Sequence, residues 1–540
     1  MPILVKTVRE ITRFLQSESI QRIQAENNGR DVDTPITGIC QDSRRVEPGS
    51  LFVCIRGHNA DGHDFAAKAL EAGAGALLVE RYLSYDIPQI RVDKVREVVG
   101  YLAAFLHERP SERLTMVGAT GTNGKTTVVS LVKHVAACTG HKAGVIGTLG
   151  AGVNTCLQPG GHTTPEAVDV QRMLSHMLDE GVDLVSMEMS SHALHQGRIN
   201  GCAYDAVIFT NLSQDHLDYH SSMNEYLAAK TLAFSRRDFN KRGRISILNG
   251  DDSACAYLKN KAVSPVVTYG IDGEELDYRA QNINMSDKGV SFEVVYGRKG
   301  PAQDSGSARD TTQGLASTGD AALYAKGTQA PPAPGMLILH VQTPGRFSVY
   351  NTLAVFAWAM ESGYEEEAVC AALAEVRGVP GRFESVRCGQ DFQVIVDYAH
   401  TPDGLINVLS TAREITQGRL ICVFGCGGDR DRTKRPLMGQ AVCAWSDHVI
   451  VTSDNPRMED PLAIIDDILP GLEGAISYES IPDRYRAIER ACGCACAEDT
   501  VVIAGKGHED YQIIGRERIH FDDREVAAEV LEGLRRLEVK

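Results

Sequence analysis

Residues 114–140 restrict the fold of this chain more than any other segment: a strand-like LTMVGAT runs into the turn GTNGK and then into TTVVSLVKHVAACTG. Val128, Val129, Leu131, Val132 and Val135 recur at helical spacing, so the turn joins a buried strand to a helix. Glycines at such a junction let successive backbone N–H groups converge at a helix N-terminus, where a phosphate is held. Gly121, Thr122, Asn123, Gly124, Lys125, Thr126 and Thr127 form the expected phosphate loop, with Lys125 reaching the β and γ phosphates and the Thr126 hydroxyl ligating Mg²⁺. The general pattern G-x-x-x-x-G-K-[ST] asks for glycine at 119, where Ala119 stands, so this is a variant loop distinct from the GTPase form. A strand that feeds a helix in this way needs parallel neighbours. Residues 183–189 (DLVSMEM), 206–210 (AVIFT) and 245–248 (ISIL) supply them, separated by helix-length segments.

The 540 residues exceed one compact domain and point to about three. Residues 1–110 read as a small α/β unit ending in the helical VREVVGYLAAFLHERP, closed by Pro110. Residues 111–379 form the central parallel-sheet unit with the phosphate loop, expected to be an ATPase domain. Residues 380–540 open a second doubly wound, Rossmann-like α/β series with QVIVDY, RLICVFG, HVIVTSD and TVVIAGKG, whose ligand site belongs at the carboxyl ends of those strands. Residues 297–335 are rich in Gly, Ala, Ser, Thr and Pro with few large apolar side chains, and are expected to be a disordered insertion.

The net charge of −16 repels nucleic-acid backbones and anionic lipid surfaces, while local arginines still suit a small anionic substrate. The N-terminal stretch carries Lys6, Arg9, Glu10 and Arg13 and has no apolar core of signal-peptide type, and no window is apolar enough to span a membrane. A cytoplasmic protein is expected. The 14 cysteines sit mostly in apolar segments and read as buried thiols of a reducing compartment; Cys492, Cys494 and Cys496 lack a second ligand pair at zinc-finger spacing.

An ATP site needs a second metal ligand, and Glu188 ends the apolar run DLVSM where a carboxylate can face Thr126 across adjacent strand ends. Taken alone, an acidic residue there is more often a helix cap, and the segment that follows shifts the balance towards a ligand. The following segment gathers His192, His195, Asp215, His216, Asp218 and His220 around two strand ends, and His216 is the preferred metal ligand, although plain hydrogen bonding fits any single histidine equally well.

The combination of GTNGKTT, MEMSSHAL, TNLSQDHLDYH, GRFE (381–384), VDYAHTPD (396–403), FGCGGDRDRTKR (424–435), SDNPR (453–457) and GKGHEDYQ (505–512) closely resembles the Mur ligases, over nearly the whole chain except 297–335. The likeness is greatest to the branch that adds the third amino acid of the peptidoglycan stem peptide. It implies ATP-driven activation of a D-glutamyl carboxylate as an acyl phosphate, then attack by the amine of meso-diaminopimelate. Two Mg²⁺ ions are implied, one shared by Thr126 and Glu188 and one by Glu188 and His216. Lys230 matches a lysine that CO₂ converts to a carbamate bridging towards the metals; its own surroundings in sequence suggest only a solvated helical lysine. Lys125, Lys230, Glu188 and His216 are thus the implied catalytic set.

The resemblance also implies that Ser43 and the run His58, Asn59 and Ala60 bind uridine. It implies that Thr163, Thr164, Ser190, Gln196 and Arg198 meet the phosphates, sugar and peptide of the UDP-MurNAc-dipeptide. Asn351, Arg382 and Asp397 correspond to contacts with adenine, phosphates and ribose, although the G-x-F-N lead usual before the helix of Asn351 stands here as GRFS. Arg430, Asp454, Asn455, Pro456, Arg457, Gly505 and Glu509 correspond to the amino-acid site. Diaminopimelate differs from lysine by one carboxylate and one stereocentre, so Arg457 provides the fork that selects it.

Three alternatives predict different sequences or activities. An L-lysine-adding ligase would lack Arg457. A folylpolyglutamate synthetase would lack Ser43 and the HNA run. A P-loop kinase would leave the DNPR and GKGHED loops unexplained. A monomer acting on small-molecule substrates is expected.

Overall fold

The computed structural model describes residues 5–17, 25–57, 60–153, 156–158, 163–286, 288–297 and 335–538. Most of the 297–335 insertion therefore lies outside the described residues, as do His58 and Asn59. Three α/β sheets follow one another along the chain.

The first sheet contains β1 (Ala25–Asn27), β2 (Gly38–Cys40), β3 (Ser50–Val53), β4 (Ala76–Val79) and β5 (Gln89–Val92), in the order β1-β5-β4-β3-β2. Helix α1 (Val8–Leu15) opens with a capping box between Thr7 and Glu10 and buries Val8, Ile11 and Leu15. Helix α2 (Val95–Leu106) packs Val95, Val98, Val99 and Leu102 into the same core. It stops at Leu106 rather than at Pro110. Glu108 and Arg109 turn left-handed at φ 57° and 51°, and Pro110 opens a new short helix, Pro110–Arg113, where its missing N–H is not needed.

Among the described residues the central sheet has eleven strands. Its members are β6 (Thr115–Thr120), β7 (Ala143–Gly147), β8 (Gly150–Val153), β9 (Cys156–Gln158), β10 (Leu184–Glu188), β11 (Tyr204–Phe209), β12 (Asn240–Asn249), β13 (Val266–Gly270), β14 (Tyr278–Ser286), β15 (Gly289–Tyr296) and β16 (Gly335–Val341). The order is β9-β8-β7-β10-β6-β11-β12-β13-β14-β15-β16. Strands β7 to β14 within that order run parallel, and antiparallel strands extend both edges. The parallel strands β6, β10 and β11 are buried nearly throughout, as expected of a sheet covered on both faces.

Helix α3 (Lys125–Cys138) follows β6 directly. Helices α4 (Ala167–Asp179), α5 (Ser191–His195) and α6 (Met223–Ser235) precede the largely buried α7 (Arg346–Glu361) and then α8 (Glu366–Glu375). Helix α7 buries Val349, Leu353, Phe356, Trp358 and Ala359 on several faces, which fits its place between α3 and the sheet.

The C-terminal sheet comprises β17 (Glu384–Ser385), β18 (Gln393–Asp397), β19 (Leu420–Phe424), β20 (His448–Val451), β21 (Tyr478–Ser480) and β22 (Thr500–Ala504), ordered β17-β18-β22-β19-β20-β21. All but β17 run parallel, and apolar clusters on each face pack against α9 (Pro402–Ile415), α10 (Lys434–Trp445), α11 (Arg484–Cys494) and α12 (Asp523–Glu538). Cys492 is buried on α11. No helix among the described residues is long and apolar enough to cross a membrane.

Candidate active site

The phosphate loop takes its shape from two glycines. Gly121, at φ 155°, passes so close to Thr210 that an added Cβ would stand 1.8 Å from its hydroxyl. Gly124 turns left-handed at φ 85° to start α3, with Asn351 Oδ1 2.5 Å from where a Cβ would be. Any larger residue at either position must displace the loop. Thr210 Oγ1 donates to Asn123 O (2.6 Å), and Asn123 N donates to Asn211 Oδ1 (2.9 Å), so the neighbouring strand end holds the loop open.

Behind this loop, Lys125 Nζ donates to the carbonyls of Gly121 (2.9 Å) and Thr122 (2.7 Å), and Lys230 Nζ donates to Gly121 O (2.6 Å). Lys230 is 1% exposed on α6 and stacks over Tyr226 at 4.4 Å. Burial drives its ammonium well below the usual lysine range, and the nearby Lys125 charge drives it further. Burial lowers Lys125 as well, opposed by Glu188 and Asp215.

Glu188 is buried at the end of β10, where Oε1 accepts from Thr148 N (2.8 Å) and Oε2 from Thr148 Oγ1 (3.2 Å). Gly147 leaves room for it, since a Cβ there would lie 2.5 Å from Oε1. His216 sits at φ 55°, with its ring held 3.4 Å from Asp215 Oδ2. Burial lowers this imidazole, against the pull of Asp215, which favours the neutral ring with a lone pair to share.

These groups line a cavity of about 510 Å³ between the central and C-terminal sheets. On its central side stand Thr122 to Thr126, Thr163, Thr164, Glu188, Ser190, Arg198, His216 and Lys230. Thr164 Oγ1 donates to Glu188 O (2.8 Å), and Arg198 is held by Thr164 O (3.1 Å), Gln196 Oε1 (3.0 Å) and Glu166 (3.1 Å). Arg382 enters from the C-terminal side, donating from Nη2 to Thr126 Oγ1 (3.0 Å) and lying over the Tyr398 ring.

Opposite, the loops after β19, β20 and β22 contribute Arg430, Asp454, Asn455, Arg457, Gly505 and Glu509. Asn455 Nδ2 donates to Glu509 Oε2 (2.9 Å), and the fully buried Lys506 lies 3.6 Å from Asp454 Oδ1 and 3.5 Å from Glu509 Oε2. Burial, then the Asp454 charge, raises the Glu509 carboxyl. Asp454 Oδ1 is buried and makes no hydrogen bond, its nearest charge being Lys506 Nζ at 3.6 Å, so it can still accept from a closer donor such as a ligand ammonium. Arg457 turns left-handed at φ 53° and donates to Gly428 O (2.8 Å), which aims its guanidinium along the cavity wall.

Other expected residues stand outside the lining. Gly121 and Asn351 shape the loop from behind. Both Asp397 oxygens are taken by backbone N–H groups, of Phe383 and Ala399 at 2.7 Å each, so this carboxylate fixes the turn that presents Arg382. Ser43 begins a short turn whose Arg45 reaches Asp169 on α4 at 3.3 Å. Ala60, Gln196, Thr127 and Pro456 are also outside, and His58 and Asn59 are not among the described residues.

Several site residues carried no separate reading in the sequence. Lys434 Nζ meets the buried Asp215 at 3.1 Å, and His400 and Tyr398 line the wall. Lys506 and Lys434 lie inside the GKGHED and DRTKR runs, so those motifs carried the only signal for them. Thr148, by contrast, had none.

The pattern of matches agrees with this architecture. A model described as Mur ligase middle domain matches residues 119–359, one described as Mur ligase, glutamate ligase domain matches 381–507, and one described as Mur ligase family, catalytic domain matches 35–107. The UDP-N-acetylmuramoyl-L-alanyl-D-glutamate–2,6-diaminopimelate ligase of Geobacillus kaustophilus is 45% identical over 91% of this chain and 94% of its own length. That of Bacillus velezensis is 42% identical over 97% and 98%. A solved structure of a ligase of the same name superposes with a TM-score of 0.66 at 31% identity, covering 98% of this chain and all of the other. With three successive domains matched and relatives alike from end to end, the chain belongs to the Mur ligase family.

Proposed function

We propose that this chain is an ATP-dependent ligase that joins meso-2,6-diaminopimelate to UDP-N-acetylmuramoyl-L-alanyl-D-glutamate during peptidoglycan precursor synthesis. The observation that carries this reading is the pairing, across one cavity, of a phosphate loop with a wall that holds both Arg457 and the buried Asp454, whose Oδ1 faces Lys506 at 3.6 Å without a hydrogen bond. A ligand with both a carboxylate and an ammonium at its far end complements that wall. Relatives with this activity in their names, alike over more than nine-tenths of the chain, support it.

In this reading the loop from Gly121 to Thr127 binds the ATP phosphates, with Asn351 and Asp397 on the nucleotide side. The D-glutamyl carboxylate attacks the γ phosphorus and ADP leaves. The diaminopimelate amine then attacks the acyl phosphate carbon, and inorganic phosphate departs from the tetrahedral intermediate. Lys125 and Arg382 offset the charge that builds on the transferred phosphoryl group. Ser43, His58, Asn59 and Ala60 hold the uridine, while Thr163, Thr164, Ser190, Gln196 and Arg198 orient the rest of the nucleotide-sugar peptide. Arg430, Asp454, Asn455, Pro456, Arg457, Gly505 and Glu509 orient diaminopimelate, and the lost salt bridge at Arg457 disfavours lysine.

The donor set fits Mg²⁺: a threonine hydroxyl, a carboxylate and a neutral imidazole lie along one wall as Thr126, Glu188 and His216. Two Mg²⁺ ions there would supply charge neutralisation for the phosphates. Lys230 fits a carbamate, because burial favours the neutral form of its amine, the form that adds to CO₂, and an anionic group there removes the repulsion between two lysines over Gly121 O. ATP and the UDP-dipeptide are small soluble anions and diaminopimelate a zwitterion, which suits a cytoplasmic enzyme.

The test is a phosphate-release assay with each component omitted in turn. Release is expected only when the UDP-dipeptide, ATP, Mg²⁺ and meso-diaminopimelate are all present. Equal release with L-lysine in place of diaminopimelate would overturn the specificity.

A further inference from the structure

At the end of α3 opposite the phosphate loop, two helix C-termini converge. Cys138 is the last residue of α3 and Glu375 the last of α8, and neither helix has a basic residue in its final turn. Two negative helix-dipole ends, a thiol and a carboxylate therefore face one another, an arrangement that calls for a cation. His134 stands one turn before Cys138 on the same face of α3, and donor atoms of His134, Cys138 and Glu375 all lie within 4.8 Å of one another.

The spacing of His134 and Cys138 suits a tetrahedral metal. His134 Nε2 and Cys138 Sγ are 3.5 Å apart. Zn–N and Zn–S bonds of about 2.0 and 2.3 Å at a tetrahedral angle place the two ligand atoms about 3.5 Å apart. Ala372 O, in the last turn of α8, lies 3.0 Å from the same Nε2. Carbonyls in that turn have no partner within their own helix, so this oxygen is positioned as a fourth donor. The neighbouring Ala374 O is already taken by Gln342 Nε2 at 2.8 Å.

We propose that His134, Cys138 and Glu375, with the Ala372 carbonyl, form a second metal site that takes a borderline-soft divalent cation of the Zn²⁺ class, apart from the Mg²⁺ chemistry of the cleft. Binding replaces the Cys138 S–H bond with a metal–sulfur bond and releases that proton to solvent; the His134 Nε2 hydrogen moves to Nδ1 as the lone pair turns to the metal. The mixed N, S and O donors favour Zn²⁺ over Mg²⁺. Its structural effect is to clasp α8 to the far end of the phosphate-loop helix.

The test uses the full chain, stripped of metal and held in excess Mg²⁺ so that the cleft is occupied, with Co²⁺ as the spectroscopic probe. One equivalent of Co²⁺ is expected to produce a thiolate-to-cobalt charge-transfer band that Zn²⁺ abolishes. Cys138→Ser should remove the band, and His134→Ala or Glu375→Gln should weaken Co²⁺ binding by about tenfold or more. Zn²⁺ should raise the melting temperature of the unaltered chain and not that of Cys138→Ser. Phosphate release by Cys138→Ser in Mg²⁺ reports that this variant is folded, and the Glu375→Gln titration gives a second reading that keeps the thiol. A band that survives Cys138→Ser, or no band in the unaltered chain, overturns the proposal without touching the ligase reading.

Discussion

At the scale of single residues, environment decides chemistry. Lys230 in EYLAAK looks like any solvated helical lysine, yet α6 turns it into a space where its charge is disfavoured. Nothing local in the sequence encodes this, because burial is a property of the neighbours that close over the side chain. If Lys230 acts as a carbamate, Lys230→Ala loses activity by about two orders of magnitude or more, and a small carboxylate in solution restores part of it. A folded variant with no rescue by formate or acetate in the phosphate-release assay would count against the carbamate. His107 shows the same effect in stability: burial lowers it to about 4, and its Nδ1 has no partner. An unfolded histidine titrates near 6.5, so between those values the unfolded chain binds more protons than the folded one. Stability is thus complete above about pH 6.5 and is lost as pH falls towards 4, by about 2 kcal/mol at pH 5 from this residue. His508, lowered by burial to about 3, acts in the same direction. Urea midpoints at pH 7 and pH 5 check this: the drop should be smaller in His107→Phe than in the unaltered chain, and equal drops would refute it.

At the scale of elements, strands ending at the cavity were readable because buried parallel strands are continuous apolar runs, and LICVF, HVIV and TVVIA declare themselves. What joins the elements was less readable. Arg484 at the start of α11 and Asp523 at the start of α12 form a two-pronged salt bridge, 2.7 Å on each arm, with both side chains wholly buried. The same guanidinium donates to Ala504 O (3.0 Å), next to the cavity residue Gly505. In sequence, Arg484 and Asp523 are ordinary helix-start residues 39 positions apart. Asp523→Ala leaves the guanidinium buried and unpaired, which should cost about 3–5 kcal/mol. Chemical denaturation checks it, and a loss below about 1 kcal/mol would show that the site readily admits water.

At the scale of the whole molecule, the cavity exists only because the C-terminal sheet docks on the central one. Asp403, at the start of α9, accepts from Asn123 Nδ2 of the phosphate loop (2.8 Å) and from Ser213 Oγ (2.9 Å). Lys434 on α10 meets Asp215, and Arg382 meets Thr126. Each contact places a C-terminal residue on a residue of the phosphate-loop side, so closure and ATP binding are linked. Asp403→Ala is expected to reduce kcat/KM by about 10–100-fold through misplacement of the two halves, with the fold intact. Small-angle scattering should show a larger radius of gyration for the variant with ATP analogue and Mg²⁺; unchanged scattering together with unchanged kinetics would remove Asp403 from this role.

The amino-acid sequence alone determined the α/β class, the phosphate loop and the family, because these rest on short-range patterns: apolar periodicity, glycines at a strand-to-helix turn, and motifs in order. It also signalled the loops after the C-terminal strands, since ligand loops of parallel sheets gather at one edge. Only the tertiary structure decided that Asp397 braces the Arg382 turn, that Lys506 sits between Asp454 and Glu509, and that His134 meets Ala372 across 238 residues of chain, beside Cys138 and Glu375. Those are contacts between elements far apart in sequence, and their charge states follow from burial, which no local pattern of residues records.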